Sequence, residues 1–400
     1  MSEKRIALIS FCVPTFNNVG AASALPYHLI LGAKEWGNCN FEIWTFNLNN
    51  INIDDILRTE NELGVKIHLI AQPRWYKLML LLHLTFLRIL LHYPLLAYFR
   101  LKKNVVDDIN EFKPDIVWIY GEDLAGLASC FPGNRRIVTM PDCETLYYHR
   151  VLATNFMTDK LSKVMRYSFA YWQYRSMDRD KHIENVRYHF VGEVDANFYH
   201  DINPTANVVF LPHPHYAWKS KQIKFHSPKI RLLFAGRYDY YCKQGSDELL
   251  NAMLSDNKLK EHYEVTFLGK GWNEWCDKLK ENGWESHIIR YAPDYIKKIQ
   301  KHDIQINAID LGTGTKGKVL DAIANGLLEI GTKYALENIA SENGKSCITY
   351  NNVSNAIKIL EDIPHNINKY TEIAEVGRKS VLVKHNREQI ASLLFSFQTD

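Results

Sequence analysis

No two of the seven cysteines, Cys12, Cys39, Cys130, Cys143, Cys242, Cys276 and Cys347, stand in CxxC spacing. An odd, scattered set of this kind supplies neither a disulfide framework nor a zinc site, and it fits a reducing cytosol. No cluster of ligating side chains at metal spacing is visible, so no metal is expected. Excess charge is also missing: the formal net charge is +3 and the isoelectric point about 8.3. That balance argues against a long groove tracking nucleic-acid phosphates. There is no residue-level internal repeat. Lys4 and Arg5 lead directly into IALISFCV, which is too short and too strand-like for a secretory segment, so the chain is expected to stay inside the cell.

One absence is local. From Leu63 to Val106 there is no Asp or Glu, while Lys66, Arg74, Lys77, Arg88, Arg100, Lys102 and Lys103 punctuate LMLLLHLTFLRILLHYPLLAYF. On a helical wheel Arg74, Lys77, Thr85, Arg88 and His92 fall within about 80°, which leaves a broad apolar face over residues 74–103. A central Arg88 and the breaker Pro94 weigh against a membrane span. The pattern predicts a basic amphipathic helix, and contact with an anionic membrane surface is favoured over packing within its own domain.

What is present points to two domains. With 400 residues, 46% of them hydrophobic, the chain exceeds what one core usually organises. IALISFCV, FEIWTFNL, VKIHLIA, PDIVWIYG and RRIVTMPD are short apolar strands separated by helical stretches, the rhythm of a parallel sheet with covering helices. YHFVGEVDANFY and NVVFLPHP continue it. After a polar passage from His215 to Pro228 the rhythm restarts with IRLLFAGR, YEVTFLG, SHIIRYA and DIQINAI. The expected organisation is an α/β domain over 1–215, a linker over 216–228 and a second α/β domain over 229–384. A C-terminal helix over 385–400 is expected to return to the first domain. RYSFAYWQYRSMDRDKH reads as helical core packing rather than as a surface for bases or glycans.

Two cationic loops carry the chemistry. In GTGTKGKVLDAIANG, from Gly312 to Gly326, a glycine-broken loop runs into an apolar helix. Backbone amides of Thr313, Gly314 and Thr315 can approach an anion, the helix start adds partial positive charge, and Lys316 and Lys318 supply mobile cations for a diphosphate. Asp321 lies three residues beyond Lys318, so the two are expected to share a face, the carboxylate meeting a ribose diol. In IRLLFAGRYDYYCKQGSDELLNAM, Arg237 follows a strand and Gly236, and Lys243 precedes the next helix. Both point toward the crevice where open α/β sheets bind ligands.

The order GR, KQG, VTFLGKG and IQINAIDLGTGTKGKVLDAIANG resembles retaining glycosyltransferases of the GT4 type, and the resemblance extends over nearly the whole chain. It implies the GT-B fold, two Rossmann-like parallel-sheet domains facing each other across a cleft. It also implies that Arg237 and Lys243 hold the donor diphosphate, that Asp321 binds ribose and that Gly20, in PTFNNVGAAS, approaches the donor. VGEVDANF is similar to a strand end of the same family. The chain departs from the pattern twice. The first motif glutamate falls at Thr313 and the second is Asp321. In TMPDCET, Pro141 stands where many relatives have a histidine near the sugar, which leaves Asp142 ahead of Glu144 as the polar candidate, against a plain capping role; His213 and His215 are weaker candidates.

The expected reaction is transfer of a sugar, with retention, from a nucleoside-diphosphate donor to an acceptor hydroxyl, with no further cofactor. A lipid-linked oligosaccharide at the inner face of the plasma membrane suits the cationic apolar segment, as in surface polysaccharide assembly. Two alternatives are a catalytically silent nucleotide- or glycan-binding assembly protein and a nucleotide-sugar epimerase or phosphorylase on the same fold.

Overall fold

The computed structural model describes residues 3–16, 21–37, 39–155, 160–219 and 222–396. The chain divides into two compact units, residues 1–214 together with 387–400, and residues 215–386.

The first unit is built on a seven-stranded parallel sheet of β1 (Lys4–Ser10), β2 (Cys39–Thr45), β3 (Lys66–Leu69), β4 (Ile116–Tyr120), β5 (Arg135–Met140), β6 (Val186–Phe190) and β7 (Asn207–Phe210). They lie in the order β3-β2-β1-β4-β5-β6-β7. β4 is buried at every position, and the short edge strand β3 is not. This is why the central strands read as unbroken β-branched and aromatic runs: helices cover both faces of a parallel sheet. The helix Arg387–Ser396 belongs to this unit and packs on the helix Ala21–Trp36. Arg387 Nε donates to Glu35 at 2.7 Å, and Lys4 Nζ donates to the carbonyls of Phe395 and Ser396 at 3.0 and 2.9 Å.

The second unit has a six-stranded parallel sheet of β8 (Ile230–Ala235), β9 (Tyr263–Leu268), β10 (Glu285–Ile289), β11 (Ile304–Asn307), β12 (Leu328–Gly331) and β13 (Ile348–Thr349), in the order β10-β9-β8-β11-β12-β13. From the stretch expected as a linker, Tyr216, Ile223 and Phe225 are buried in this unit. In each sheet the order reverses once, between β1 and β4 and between β8 and β11. Adjacent strands there send their following loops to opposite faces, which opens a crevice at the carboxyl ends.

Two local expectations need correction. Residues 74–103 form no continuous helix: an α-helix covers Arg74–Leu81, His83 turns left-handed at φ 54°, and 3-10 turns follow at Leu84–Leu90 and Leu95–Tyr98. No side chain caps the first of these helices, and Pro94 stands at the start of the Leu95–Tyr98 turn, so the wheel's register is lost at His83 and again before Pro94. The aromatic stretch does lie in a helix, Leu161–Asp180, but only Val164, Met177 and Asp178 of that helix are buried. Among the described residues no helix is long and apolar enough to cross a membrane. All seven cysteines are free.

Gly32 lies against the Arg387 carbonyl so closely that a Cβ would collide with it. Gly32→Ala is expected to destabilise the protein by roughly 1–3 kcal/mol through overpacking, read as a lower urea midpoint with an unchanged slope.

Candidate functional site

The switch point of the second sheet collects Gly236, Arg237, Lys243 and Lys318 from the expected donor-site residues. β8 ends at Ala235, and Gly236 turns the chain outward at φ 106°. Its N–H donates to Leu268 O at 2.8 Å and its carbonyl accepts from Trp272 Nε1 at 2.8 Å. Arg237 is exposed just beyond, and its carbonyl takes the Cys242 thiol at 3.5 Å, closing the loop that delivers Lys243 to the first turn of the helix Lys243–Ser255. Lys243 is exposed as well, its Nζ 5.7 Å from the centre of the Tyr238 ring. Tyr238 is itself fixed, because its hydroxyl bonds Asp247 and Trp275 Nε1 donates to the same Asp247 oxygen at 2.7 Å. Two exposed cations therefore stand at the two ends of one anchored loop.

The loop after β11 is tied to this one. Asp310 accepts the Gly245 N–H at 2.6 Å and donates its own N–H to Tyr241 O at 3.0 Å. A carboxylate on the first turn of a helix satisfies an amide that has no partner within the helix and meets the positive end of its dipole. Lys318, in the first turn of the helix Gly317–Ala324, places its ammonium on Ala235 O at 2.9 Å, beneath the Gly236 turn. The turn's φ of 106° favours glycine, and a Cβ there would also crowd that nitrogen at 3.0 Å. Burial pulls the Lys318 pKa down.

The structure thus brings Gly236, Arg237, Lys243 and Lys318 to one edge, and it gives the other loop residues partners within the fold. Lys316 is no free cation: its Nζ bonds the Thr313 and Gly314 carbonyls at 2.6 and 3.2 Å and folds back over Gly312. Thr313 and Gly314 are buried, Thr315 half-buried, and Gly314 takes the left-handed region at φ 60°. Lys318 and Asp321 do not present one common face to a ligand. Asp321 is 3% exposed, accepts the Tyr216 N–H at 3.4 Å, and burial pushes its pKa up to about 7. The three-residue spacing brought both side chains to the helix's buried side, where each met a different partner. Gly20 lies outside the described residues. Sequence reasoning missed Asp310 and Asp247; the signal for Asp310 was a lone carboxylate directly after the buried run IQINAI.

In the first unit, Asp142 is half-buried on the turn between β5 and the helix Glu144–Asn155. Its neighbours form a buried acid cluster. Cys143 N–H donates to Asp195 at 2.9 Å, Glu144 N–H to Glu122 Oε2 at 3.0 Å, and Thr145 Oγ1 to Asp178 Oδ2 at 2.5 Å. Glu122 Oε1, Asp123 Oδ1 and Asp178 Oδ1 are sealed from solvent without a hydrogen-bond donor. Burial first, and mutual repulsion next, push Asp123 up to about 7 and Glu144 up to about 8; burial alone pushes Asp178 up to about 6. Glu122 and the Cys143 thiol also move well upward for the same reasons. Ligand atoms of Glu122, Cys143 and Asp178 lie within 4.8 Å of one another and could hold a cation, a set the sequence reading did not name. Protonation is the alternative way to relieve the same repulsion. His213 is buried, its Nδ1 2.8 Å from the Pro214 carbonyl, and His215 is buried as well.

No protein-family model and no curated protein sequence matches the chain. Solved structures do. A glycosyltransferase from Rickettsia africae aligns with a TM-score of 0.64 at 11% identity, covering 99% of this chain and 98% of its own. HepE from Anabaena, solved with UDP-glucose, aligns at 0.61 and 10% identity, and sucrose-phosphate synthase from Thermosynechococcus elongatus at 0.64 and 10%, each covering 98% of both chains. The fold is therefore that of the GT-B glycosyltransferases, two Rossmann-like parallel-sheet domains.

The acid cluster sets a pH dependence. Carboxyls whose pKa is raised by folding hold protons that the unfolded chain has released, so stability is fully present near pH 4 and is lost as pH rises through the folded values. Unfolding free energy is expected to fall between about pH 5 and about pH 8, and Asp123→Asn or Glu144→Gln should flatten that slope in denaturant titrations across pH.

Proposed function

We propose that this chain is a retaining glycosyltransferase of the GT4 type that moves a sugar from a nucleoside-diphosphate donor to an acceptor hydroxyl. The observation that carries the reading is the convergence of Arg237, Lys243 and the Gly236 turn at the switch point of the second unit, on a GT-B fold. Two exposed cations and a close-approach backbone suit a diphosphate, and neighbours of the same fold bind UDP and UDP-glucose.

In this reading the bond between the anomeric carbon and the diphosphate oxygen breaks. As negative charge develops on the leaving diphosphate, the acceptor oxygen bonds that carbon and gives its proton to the departing diphosphate oxygen. Arg237 and Lys243 stabilise that charge, and holding both substrates in place supplies the rest of the acceleration. Lys318 acts from below by fixing the Gly236 turn. Asp142 is the polar group proposed near the transferred sugar. A ribose contact for Asp321 requires the Tyr216 segment to give way. A lipid-linked oligosaccharide in surface polysaccharide synthesis is the proposed acceptor, handled at the inner face of the plasma membrane. WaaG, a neighbour of 12% identity and TM-score 0.59, is a glycosyltransferase involved in lipopolysaccharide biosynthesis.

Thr313 in place of the motif glutamate, and Pro141 in place of a histidine, favour one second reading, a catalytically silent nucleotide-binding protein of the same fold. Incubation with a panel of nucleotide sugars separates the two. Slow nucleotide release is expected from the wild type, with UDP affinity lowered roughly tenfold to a hundredfold by Arg237→Ala or Lys243→Ala. Binding with no turnover on any donor or acceptor would favour the silent protein, and undiminished binding by both variants would remove the proposed donor site.

A further inference from the structure

The densest exposed apolar surface in the first unit comes from two elements that the sequence reading treated separately. In the Arg74–Leu81 helix and the Leu84–Leu90 turn no residue is buried, and Leu81 and Leu90 are 75% and 77% exposed. On the Leu161–Asp180 helix, Leu161, Met165, Phe169 and Trp172 are 74%, 52%, 45% and 62% exposed. Their spacing of four, four and three residues places them on one stripe of the helix. A stripe of this kind turned to water is not core packing.

The two elements adjoin. Gln173 Nε2 donates to the carbonyls of Arg88 and Leu91, both at 2.7 Å. A pocket of about 300 Å³ opens between them, and Leu80, Ile89 and Phe169 line it while remaining exposed, so the apolar surfaces of the two elements meet at its walls. Arg88 and Arg166 also line it, together with Asp123 and Tyr174 of the acid cluster's surroundings. The surface charge is predominantly positive, with Asp180 at the far end of the long helix, bonded to His92 at 3.3 Å, as its exposed acid. Arg74, Lys77, Arg88, Lys160, Lys163 and Arg166 are exposed, and no Asp or Glu occurs in 63–106 or in 161–177.

We propose that the outward stripe of the Leu161–Asp180 helix and the Arg74–Leu90 segment together form one docking face for an anionic lipid bilayer. The membrane contact thereby gains a second element, and it does not depend on the glycosyl-transfer reading. A contiguous apolar patch of this size on a water-facing surface marks an interaction site. A surplus of cations along it selects an anionic leaflet over a neutral one, because basic side chains are drawn to its surface potential while the apolar ones enter the interface.

Flotation of the full chain with vesicles tests this. Binding to phosphatidylglycerol vesicles and not to phosphatidylcholine vesicles is expected. The pairs Leu161→Glu with Trp172→Glu, and Lys163→Glu with Arg166→Glu, should each weaken it by at least about tenfold. UDP-glucose binding and the thermal midpoint, measured alongside, should stay at wild-type values, which separates failure here from failure of the donor-site reading. As a mild substitution, Trp172→Phe should remove a large part of the tryptophan quenching produced by brominated phosphatidylglycerol. No binding to the anionic vesicles, wild-type binding by both helix variants, quenching unchanged in Trp172→Phe, or a stable dimer that buries this face without lipid would each overturn the proposal.

Discussion

The ammonium of Lys318, held on the Ala235 carbonyl under the left-handed Gly236 turn, is the contact on which the proposed donor edge of the second unit depends. It ties the start of one helix to the end of β8. Asp310 makes the complementary tie, binding the start of the helix Lys243–Ser255 to the loop after β11. With one buried cation and one carboxylate spent on backbone, Arg237 and Lys243 are left exposed on an anchored loop. Charges held this way are expensive to desolvate, and their hydrogen bonds to main-chain groups offset that cost.

The first unit solves a similar geometric problem with the opposite charge. Backbone amides at the start of the helix Glu144–Asn155 are met by Asp195 and Glu122, and Thr145 meets Asp178. Several carboxyls packed this closely cannot all ionise, so the cluster retains protons well above the usual carboxylate range.

Much of the scaffold was legible because central parallel strands are buried on both faces, and IVWIY or IRLLFA admit few other readings. Gly236, Arg237 and Lys243 were legible for a related reason: a strand end followed by glycine and a cation states its position at the crevice. Lys316 and Asp321 were not, because spacing along a helix fixes direction but not partner. Lys316 found the loop's own carbonyls, and Asp321 found Tyr216, a residue more than a hundred positions away in sequence. The 74–103 segment misled for another reason. Its amphipathic wheel assumed one unbroken helix, and a left-handed residue at His83 and Pro94 divide it. The acid cluster was hidden because its members come from four separate stretches, each unremarkable alone.

The proposed donor site is tested most directly by where a nucleoside diphosphate binds. A crystal structure of the full chain with UDP should place the diphosphate within salt-bridge reach, about 4 Å, of both Arg237 and Lys243 at the Gly236 turn. UDP bound elsewhere, with those two side chains pointing into solvent, would contradict it.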